Sequence, residues 1–180
     1  MSPEEKQKRV LDSSQVQKII EELSQKIYDD LKDIDRCAIV GIQTRGVELA
    51  RRIRQNLERL SGKEVKSGTI DITFYRDDLA TRGVLPVLKE TKIEFNITNM
   101  DVIMVDDVIF TGRTTKAALE TLTAFGRPRS IKLFVLVDRG NREMPIQPDY
   151  CGYTQKTGIK DIVQVRLKEI DDVEDGVYLC

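Results

Sequence analysis

One run of the chain combines the residue types that a phosphate and a sugar require. From residue 102 to residue 115 it reads VIMVDDVIFTGRTT. Its first four residues predict a buried strand that ends at two adjacent carboxylates, and the Thr/Gly-rich turn beyond predicts the start of a helix. Backbone N–H groups and hydroxyls at such a turn converge on one point, where they bind phosphate. The carboxylates suit hydroxyls or a hard cation, so the run predicts a sugar-phosphate site.

An ordinary helix N-cap is the simpler interpretation of this turn. A cap would account for Asp107 or Thr111 alone. It does not account for two acids, three threonines and a glycine in one run, so we favour the phosphate site.

Two further segments suit the same ligand. Residues 41–46 read GIQTRG, and a Thr-Arg-Gly turn between a strand and a helix offers N–H groups and a guanidinium to a second anion. Taken alone, this turn is more often a plain helix cap.

Residues 71–79 lead into a long polar loop over 76–90, and long loops in compact domains are frequently lids. A solvated strand end is the simpler interpretation of Asp77 and Asp78.

The composition excludes several kinds of chemistry. The chain of 180 residues contains no histidine, so catalysis by Ser/His/Asp or Cys/His and every His-ligated metal site are excluded. Any metal is expected to be Mg²⁺ on oxygen ligands. The net charge of −1 gives no general reason to expect nucleic acid binding. Three scattered cysteines, no membrane-length apolar stretch and no signal-peptide pattern favour a cytoplasmic protein with no membrane partner.

Strands and helices alternate along the chain, with no repeat or linker, so we expect one domain over 1–180. This order predicts an α/β fold with a parallel sheet flanked by helices, in which ligands bind beyond the carboxyl ends of the strands. The predicted elements are a helix from Ser13 or Ser14 to about Leu31, a strand over 37–42, a helix over 47–60, a strand over 65–75, a strand over 102–105, a helix over 114–125 and a strand over 131–137.

The segments 41–46, 71–79, 102–115 and 135–146 together resemble the type I phosphoribosyltransferases, and the resemblance covers nearly the whole chain. They are most similar to bacterial members that are both uracil phosphoribosyltransferases and RNA-binding regulators of pyrimidine-operon transcription attenuation. The resemblance implies the type I phosphoribosyltransferase fold, with a central mostly parallel sheet, a flexible loop and a small hood formed by parts of about 138–180. It also implies a homo-oligomer, either a dimer or a tetramer.

The implied reaction joins uracil to phosphoribosyl diphosphate (PRPP) and yields UMP and diphosphate. Asp106, Asp107 and Arg76 match the catalytic residues, and Mg²⁺ would be held mainly through the substrate, with Asp106 and Asp107 as its protein ligands. Phe110 cannot exchange a proton with a purine ring, which favours a pyrimidine. The implied substrate-binding residues are Thr44, Arg45, Tyr75, Lys89, Val108, Ile109, Phe110, Thr111, Gly112, Arg113, Thr114, Thr115 and Arg139.

The residues that would meet the RNA of a pyrimidine-operon leader depart from the family. The RNA-binding members are typically basic on the first helix and have His in the hood turn, whereas this chain has Glu21, Glu22 and Asn141. Acidic side chains repel RNA phosphates. Residues 152–158 also differ, which affects the base pocket. Two alternatives therefore stay open: a phosphoribosyltransferase that has lost RNA binding, or a nucleotide-sensing regulator with little catalysis.

Two groups of charged residues have simple interpretations. The acidic segment near the C-terminus is predicted to be a loop between late strands; its members are Asp171, Asp172, Glu174 and Asp175. Seven arginines form either a basic patch or ordinary solvated faces; they are Arg51, Arg52, Arg54, Arg127, Arg129, Arg139 and Arg142.

Overall fold

The structure is a computed structural model, and it describes residues 7–72 and 90–180. Within these ranges the chain forms a large sheet, a small sheet and helices that cover the large sheet. The elements are β1 (Lys8–Leu11), α1 (Ser13–Asp30), β2 (Cys37–Ile42), α2 (Arg45–Ser61), β3 (Lys66–Ile70), β4 (Asp101–Ile109), α3 (Arg113–Thr123), β5 (Ser130–Asp138), β6 (Tyr150–Thr154), β7 (Val163–Arg166), α4 (Lys168–Asp171) and β8 (Gly176–Leu179).

The large sheet has five strands in the order β3-β2-β4-β5-β6, and every neighbouring pair is parallel. This confirms the predicted α/β fold. From β2 the chain first adds β3 on one side and then crosses to add β4 on the other. The order of the strands therefore reverses between β2 and β4, and the crevice beyond their carboxyl ends is where such sheets bind ligands.

Helix α1 begins at Ser13, as predicted, because Asp12 and Gln15 form a capping box. The Gln15 N–H donates to Asp12 Oδ1, and the Asp12 N–H donates to Gln15 Oε1, both at 2.9 Å. The helix buries Val16, Ile20 and Ile27 against the sheet. A capped end and one apolar stripe are enough to specify this helix from the sequence.

The two faces of the large sheet bury separate cores. Ile103 and Val105 of β4 pack on the face that α1 and α2 cover. Val102 and Met104 point to the other face, where they meet Ala118 of α3. Alternate residues of a strand point to opposite faces, so a strand that is buried on both sides reads as a continuous apolar run.

Strand β4 is longer than predicted. Its apolar run predicts an end at Val105, whereas the strand extends to Ile109 and contains both carboxylates. The reason is β5, whose residues 135–138 continue the parallel ladder as far as Ile109. Asp106 and Asp107 are therefore held inside a hydrogen-bonded strand, and the prediction that they follow the strand was wrong.

Other strands and helices begin or end a few residues away from their predicted boundaries. Strand β3 ends at Ile70, five residues before its predicted end, and residues 73–75 lie outside the described residues. Helix α3 starts one residue early and ends at Thr123 instead of residue 125. The long loop predicted over 76–90 also lies outside the described residues, apart from residue 90.

A small antiparallel sheet in the order β1-β8-β7 lies beside the large one. Its strand β1 comes from the N-terminal end, which the sequence analysis did not assign to any element. The acidic segment does connect late strands, but it begins in the helical turn α4. In the part of the chain that the structure describes, no helix is long and apolar enough to cross a membrane.

Candidate active site

The N-terminal end of α2 lies directly against the acidic pair of β4. A Cβ atom on Gly46 would lie 2.5 Å from the Val105 carbonyl oxygen and 3.2 Å from the Asp106 Cα. A Cβ on Gly41 would lie 2.6 Å from the Val47 Cα. Only glycine allows backbones to approach this closely. The two glycines of the GIQTRG segment thus bring its Thr-Arg turn next to Asp106.

Both carboxylates of the pair are buried, with Asp106 exposed by 2% and Asp107 by 9%. The Asp107 N–H donates to Asp106 Oδ1 at 2.9 Å, which fixes one carboxylate on the backbone of the next residue. Val105 and Val108 pack on the same face of the sheet, although residues three apart in a regular strand point to opposite faces. The alternation is therefore interrupted at the acidic pair.

The turn before α3 has the geometry expected of a phosphate site. Gly112 is its N-cap with φ 90°, a conformation that favours glycine, and the Arg113 N–H donates to Thr111 Oγ1 at 3.2 Å. Thr111 and Thr115 are buried, exposed by 6% and 2%. Hydroxyls and the N–H groups of the first helical turn lie together here, which is the arrangement that binds anions.

The chain after β5 folds over this turn. The N–H groups of Glu143 and Met144 donate to the Thr111 carbonyl at 2.8 and 2.9 Å. Arg113 pairs with Glu143 through Nε and Oε2 at 2.6 Å. Residues 143–144 therefore fix the turn from outside, a role that the sequence analysis did not predict.

Arg139 stacks on Phe110 and links two segments beyond the strand ends. Its guanidinium carbon lies 3.9 Å from the centre of the Phe110 ring. Its Nε donates to Thr157 Oγ1 and its Nη2 to the Gly158 carbonyl, both at 3.0 Å. Burial lowers the pKa of the Arg139 guanidinium from its ordinary value. Asn141 Nδ2 donates to the Thr157 carbonyl at 3.0 Å, so the departing residue of the hood turn contacts the segment 152–158, which also contains departures from the family.

Arg142 is a second arginine that links the segments around Phe110. Its Nη1 donates to the Phe110 carbonyl at 2.9 Å and its Nη2 to Asp138 Oδ2 at 2.7 Å. Burial alone would raise the pKa of Asp138, but the hydrogen bonds from Arg142 and the Gly140 N–H hold it below its usual value. From the sequence, Arg142 was predicted only as part of a basic patch or of a solvated face. The spacing of four residues between Asp138 and Arg142 indicates a contact only within a helix, and residues 139–142 are not helical, so no local pattern predicted this pair.

Arg45 is held by a residue from the far end of the chain. Its Nη2 donates to Asp171 Oδ1 at 2.6 Å. Thr44 lies at the N-cap of α2, after a cis peptide bond between Gln43 and Thr44. No local pattern in the sequence connects Arg45 with Asp171, and the predicted loop around Asp171 gave no sign of this contact.

The structure brings most of the predicted site residues to one edge of the sheet. Thr44 and Arg45 lie beside the acidic pair, and residues 110–115 continue from β4 towards Arg139. The side chains of Val108 and Ile109 pack into the two cores. The predicted residues Tyr75, Arg76 and Lys89 lie outside the described residues, so they stay predictions.

The donor set at this edge fits a hard cation only when a ligand completes it. Residues 7–72 and 90–180 contain no group of three His, Cys, Asp or Glu side chains that would hold a metal ion. Asp106 and Asp107 supply two carboxylates, whereas Mg²⁺ prefers six oxygen ligands and usually retains waters and substrate phosphates. The pair therefore suits a cation that arrives with a polyphosphate.

Known proteins match the chain over almost its full length. The family model described as phosphoribosyl transferase domain matches residues 6–170. A "Bifunctional protein PyrR" of Caldicellulosiruptor bescii is 45% identical over 168 residues, covering 93% of this chain and 92% of the relative. Another of Desulfosudis oleivorans is 46% identical over 176 residues and covers 97% of each chain. The chain belongs to the PyrR family of phosphoribosyltransferases.

Solved structures show that the PyrR family chain shares its fold with purine enzymes. The hypoxanthine phosphoribosyltransferase of Trypanosoma cruzi superposes with a TM-score of 0.73, covering 96% of this chain and 94% of that one. The two sequences are only 19% identical, so this likeness concerns the fold alone.

Proposed function

We propose that this protein transfers the phosphoribosyl group of PRPP to uracil, yielding UMP and diphosphate, and that it also regulates pyrimidine-operon transcription by binding RNA. One observation supports the catalytic part of this proposal. The strand order reverses between β2 and β4, and the Thr-Arg turn, the acidic pair and the Thr/Gly turn converge at that point. This arrangement offers separate places for two phosphate groups with carboxylates between them.

Each part of the site then has a role that follows from its chemistry. The N–H groups and hydroxyls of residues 111–115 bind the 5-phosphate, as helix N-termini bind anions. Asp106 and Asp107 accept hydrogen bonds from the ribose hydroxyls. Thr44 and Arg45 bind the diphosphate, and charge grows on that group as its bond to the sugar breaks, so their donors stabilise the transition state. Holding both reactants in place provides much of the remaining acceleration.

The proposed base pocket lies beside Phe110. The Phe110 ring and the Arg139 guanidinium form a stacked wall that offers a flat surface to a pyrimidine. Phe110 has no group that exchanges a proton, which supports a pyrimidine rather than a purine. Tyr75, Arg76 and Lys89, from the predicted loop, are proposed to cover the diphosphate. Mg²⁺, held by the substrate with Asp106 and Asp107, would neutralise diphosphate charge.

The regulatory half rests on the relatives, which are named bifunctional. Ion pairs limit which basic residues we propose for RNA contact, because several arginines of the predicted basic patch already donate to carboxylates. Arg51, Arg52 and Arg54 pair with acids of α2 or α4, and Arg129 pairs with Asp101. We propose that RNA phosphates contact basic residues outside these pairs. We also propose that the chain is one cytoplasmic domain that assembles into a homo-oligomer.

The catalytic proposal is tested by assaying PRPP and Mg²⁺ with uracil, orotate, hypoxanthine and guanine while following diphosphate release. We expect release with uracil alone. Release with hypoxanthine or guanine would contradict the role given to Phe110. No release with any base would make nucleotide sensing the leading function.

The regulatory proposal is tested by titrating a pyrimidine-operon leader hairpin with the protein at several salt concentrations, with and without UMP. We expect binding that UMP strengthens and that weakens steeply with salt, since phosphate contacts release counterions. A scrambled hairpin of equal length is the control. Equal affinity for both hairpins, or no binding at low salt, would refute the RNA role.

A further inference from the structure

Helix α4 and the residues after it dock on α2 through pairs of acids and arginines. Arg52 donates to Glu169 Oε2 through Nη2 and to Asp175 Oδ2 through Nη1, both at 2.5 Å. Arg45 donates to Asp171 at 2.6 Å. Side chains of Arg52 and Asp175 are exposed by only 17% and 10%, so solvent screens this contact weakly. The docking fixes α4 beside the start of α2.

The Asp171 carboxylate is oriented before any ligand arrives. Its Oδ2 accepts a hydrogen bond from the Leu167 N–H at 2.8 Å, while its Oδ1 accepts from Arg45. The Asp171 N–H in turn donates to the Leu167 carbonyl at 2.8 Å. One oxygen therefore ties Asp171 to its own helical turn, and the other is left to hold the guanidinium.

Arg45 lies where an oriented guanidinium is useful. It is the residue before Gly46, which touches the backbone of Val105 and Asp106. Its side chain is 29% exposed, and its Nε is buried with no acceptor in the described residues. A buried donor without a partner is costly, so this conformation requires support from elsewhere. The ion pair with Asp171 is the support that the structure shows.

We infer that Asp171 is a positioning residue that holds the Arg45 guanidinium ready for an anion beside the acidic pair. A free arginine loses considerable rotamer entropy when it is immobilised by a ligand. Asp171 has already fixed the side chain, so the diphosphate binds without that loss. The inference deepens the proposed function, because it rests on the contact between Arg45 and diphosphate.

The experiment compares wild type with Asp171→Asn, Asp172→Asn, Arg45→Gln and the double variant Arg45→Gln/Asp171→Asn. Asparagine at 171 keeps an acceptor for the Leu167 N–H and removes only the charge. Asp172 is exposed and adjacent, so its variant is a matched control for charge. We expect Asp171→Asn to raise the KM for PRPP and the inhibition constant of diphosphate about tenfold, as loss of a charge-assisted hydrogen bond does. The KM for uracil and the melting temperature should stay near the wild-type values.

The double variant separates positioning from general stability. If Asp171 acts through Arg45, removing its charge in the Arg45→Gln background changes PRPP affinity no further. An additive loss, or an equal effect of Asp172→Asn, would overturn the inference. The inference would also be overturned if Asp171→Glu, which keeps the carboxylate, lost as much PRPP affinity as Asp171→Asn. An Arg45→Gln variant with wild-type diphosphate inhibition would instead refute the proposed contact between Arg45 and diphosphate.

Discussion

Phe110 and Arg139 are each the first residue after one of two neighbouring strands, and their side chains stack at 3.9 Å from guanidinium carbon to ring centre. The parallel ladder that pairs Ile109 with Asp138 brings them together. Thr157 and Gly158 then fix the far side of the guanidinium. The wall of the proposed base pocket is therefore built on the sheet, which holds it more rigidly than a loop would.

Replacing Arg139 should weaken uracil binding selectively. Arg139→Lys keeps the charge but loses the planar fork that reaches both Thr157 and Gly158. We expect the KM for uracil to rise by about tenfold, because the stacked surface is no longer held in place before uracil binds, while the KM for PRPP stays unchanged. Steady-state assays with each substrate varied in turn measure both values. Arg127→Lys is the control, and a parallel rise in both KM values would argue against a base-specific role.

Replacing Asp107 should abolish most turnover without unfolding the protein. Asp107→Asn preserves size but removes a negative charge that would face the ribose hydroxyls. We expect kcat to fall by about a hundredfold or more, as it does when a preorganised polar group at a reacting centre is lost. Circular dichroism should show an unchanged fold, and Asp29→Asn on the exposed face of α1 should behave as wild type. Activity near the wild-type level in Asp107→Asn would refute the site assignment.

Adding one carbon at Gly46 should force α2 away from β4. The new Cβ would lie 2.5 Å from the Val105 carbonyl oxygen. This oxygen belongs to the backbone of β4, so it can move away only if the strand itself shifts. We expect Gly46→Ala to lower the free energy of unfolding by about 2 kcal/mol, as measured by urea denaturation. At Gly158 the nearest atom to a new Cβ is a side-chain oxygen at 3.3 Å, so Gly158→Ala should cost much less. Equal losses of unfolding free energy in the two variants would contradict the idea that the close approach of α2 to β4 requires glycine at position 46.

Acid should destabilise the fold through Asp175. Burial alone would raise the pKa of this carboxyl, but the hydrogen bonds from Arg52 and the Lys168 N–H lower it below 3.8. Because the lower pKa belongs to the folded state, the stabilisation is complete above the unfolded pKa and disappears as the pH falls through the folded one. We expect urea midpoints to drop below about pH 4. The drop should be smaller in Asp175→Asn than in wild type or Asp172→Asn, and identical profiles would contradict the role of this pair.

The sequence alone was sufficient wherever a local pattern carries the information. The apolar stripe predicted α1, the apolar run predicted β2 to the residue, and the Thr/Gly turn marked the start of α3 to within one residue. Residue types alone singled out the acidic pair and the Thr-Arg turn, and their roles in binding stay predictions. Each of these features depends on residues a few positions apart, whose spacing reflects helix or strand geometry directly.

Only the tertiary structure decided how distant residues combine. Arg45 and Asp171 are 126 positions apart, and Arg139 and Thr157 are 18 apart, so no local spacing predicts either contact. Strand β1 has four residues and acquires its identity from pairing with β8. The end of β4 was likewise set by its neighbour β5. Side-chain partners and strand lengths of this kind follow from which elements pack together, and packing is a property of the whole chain.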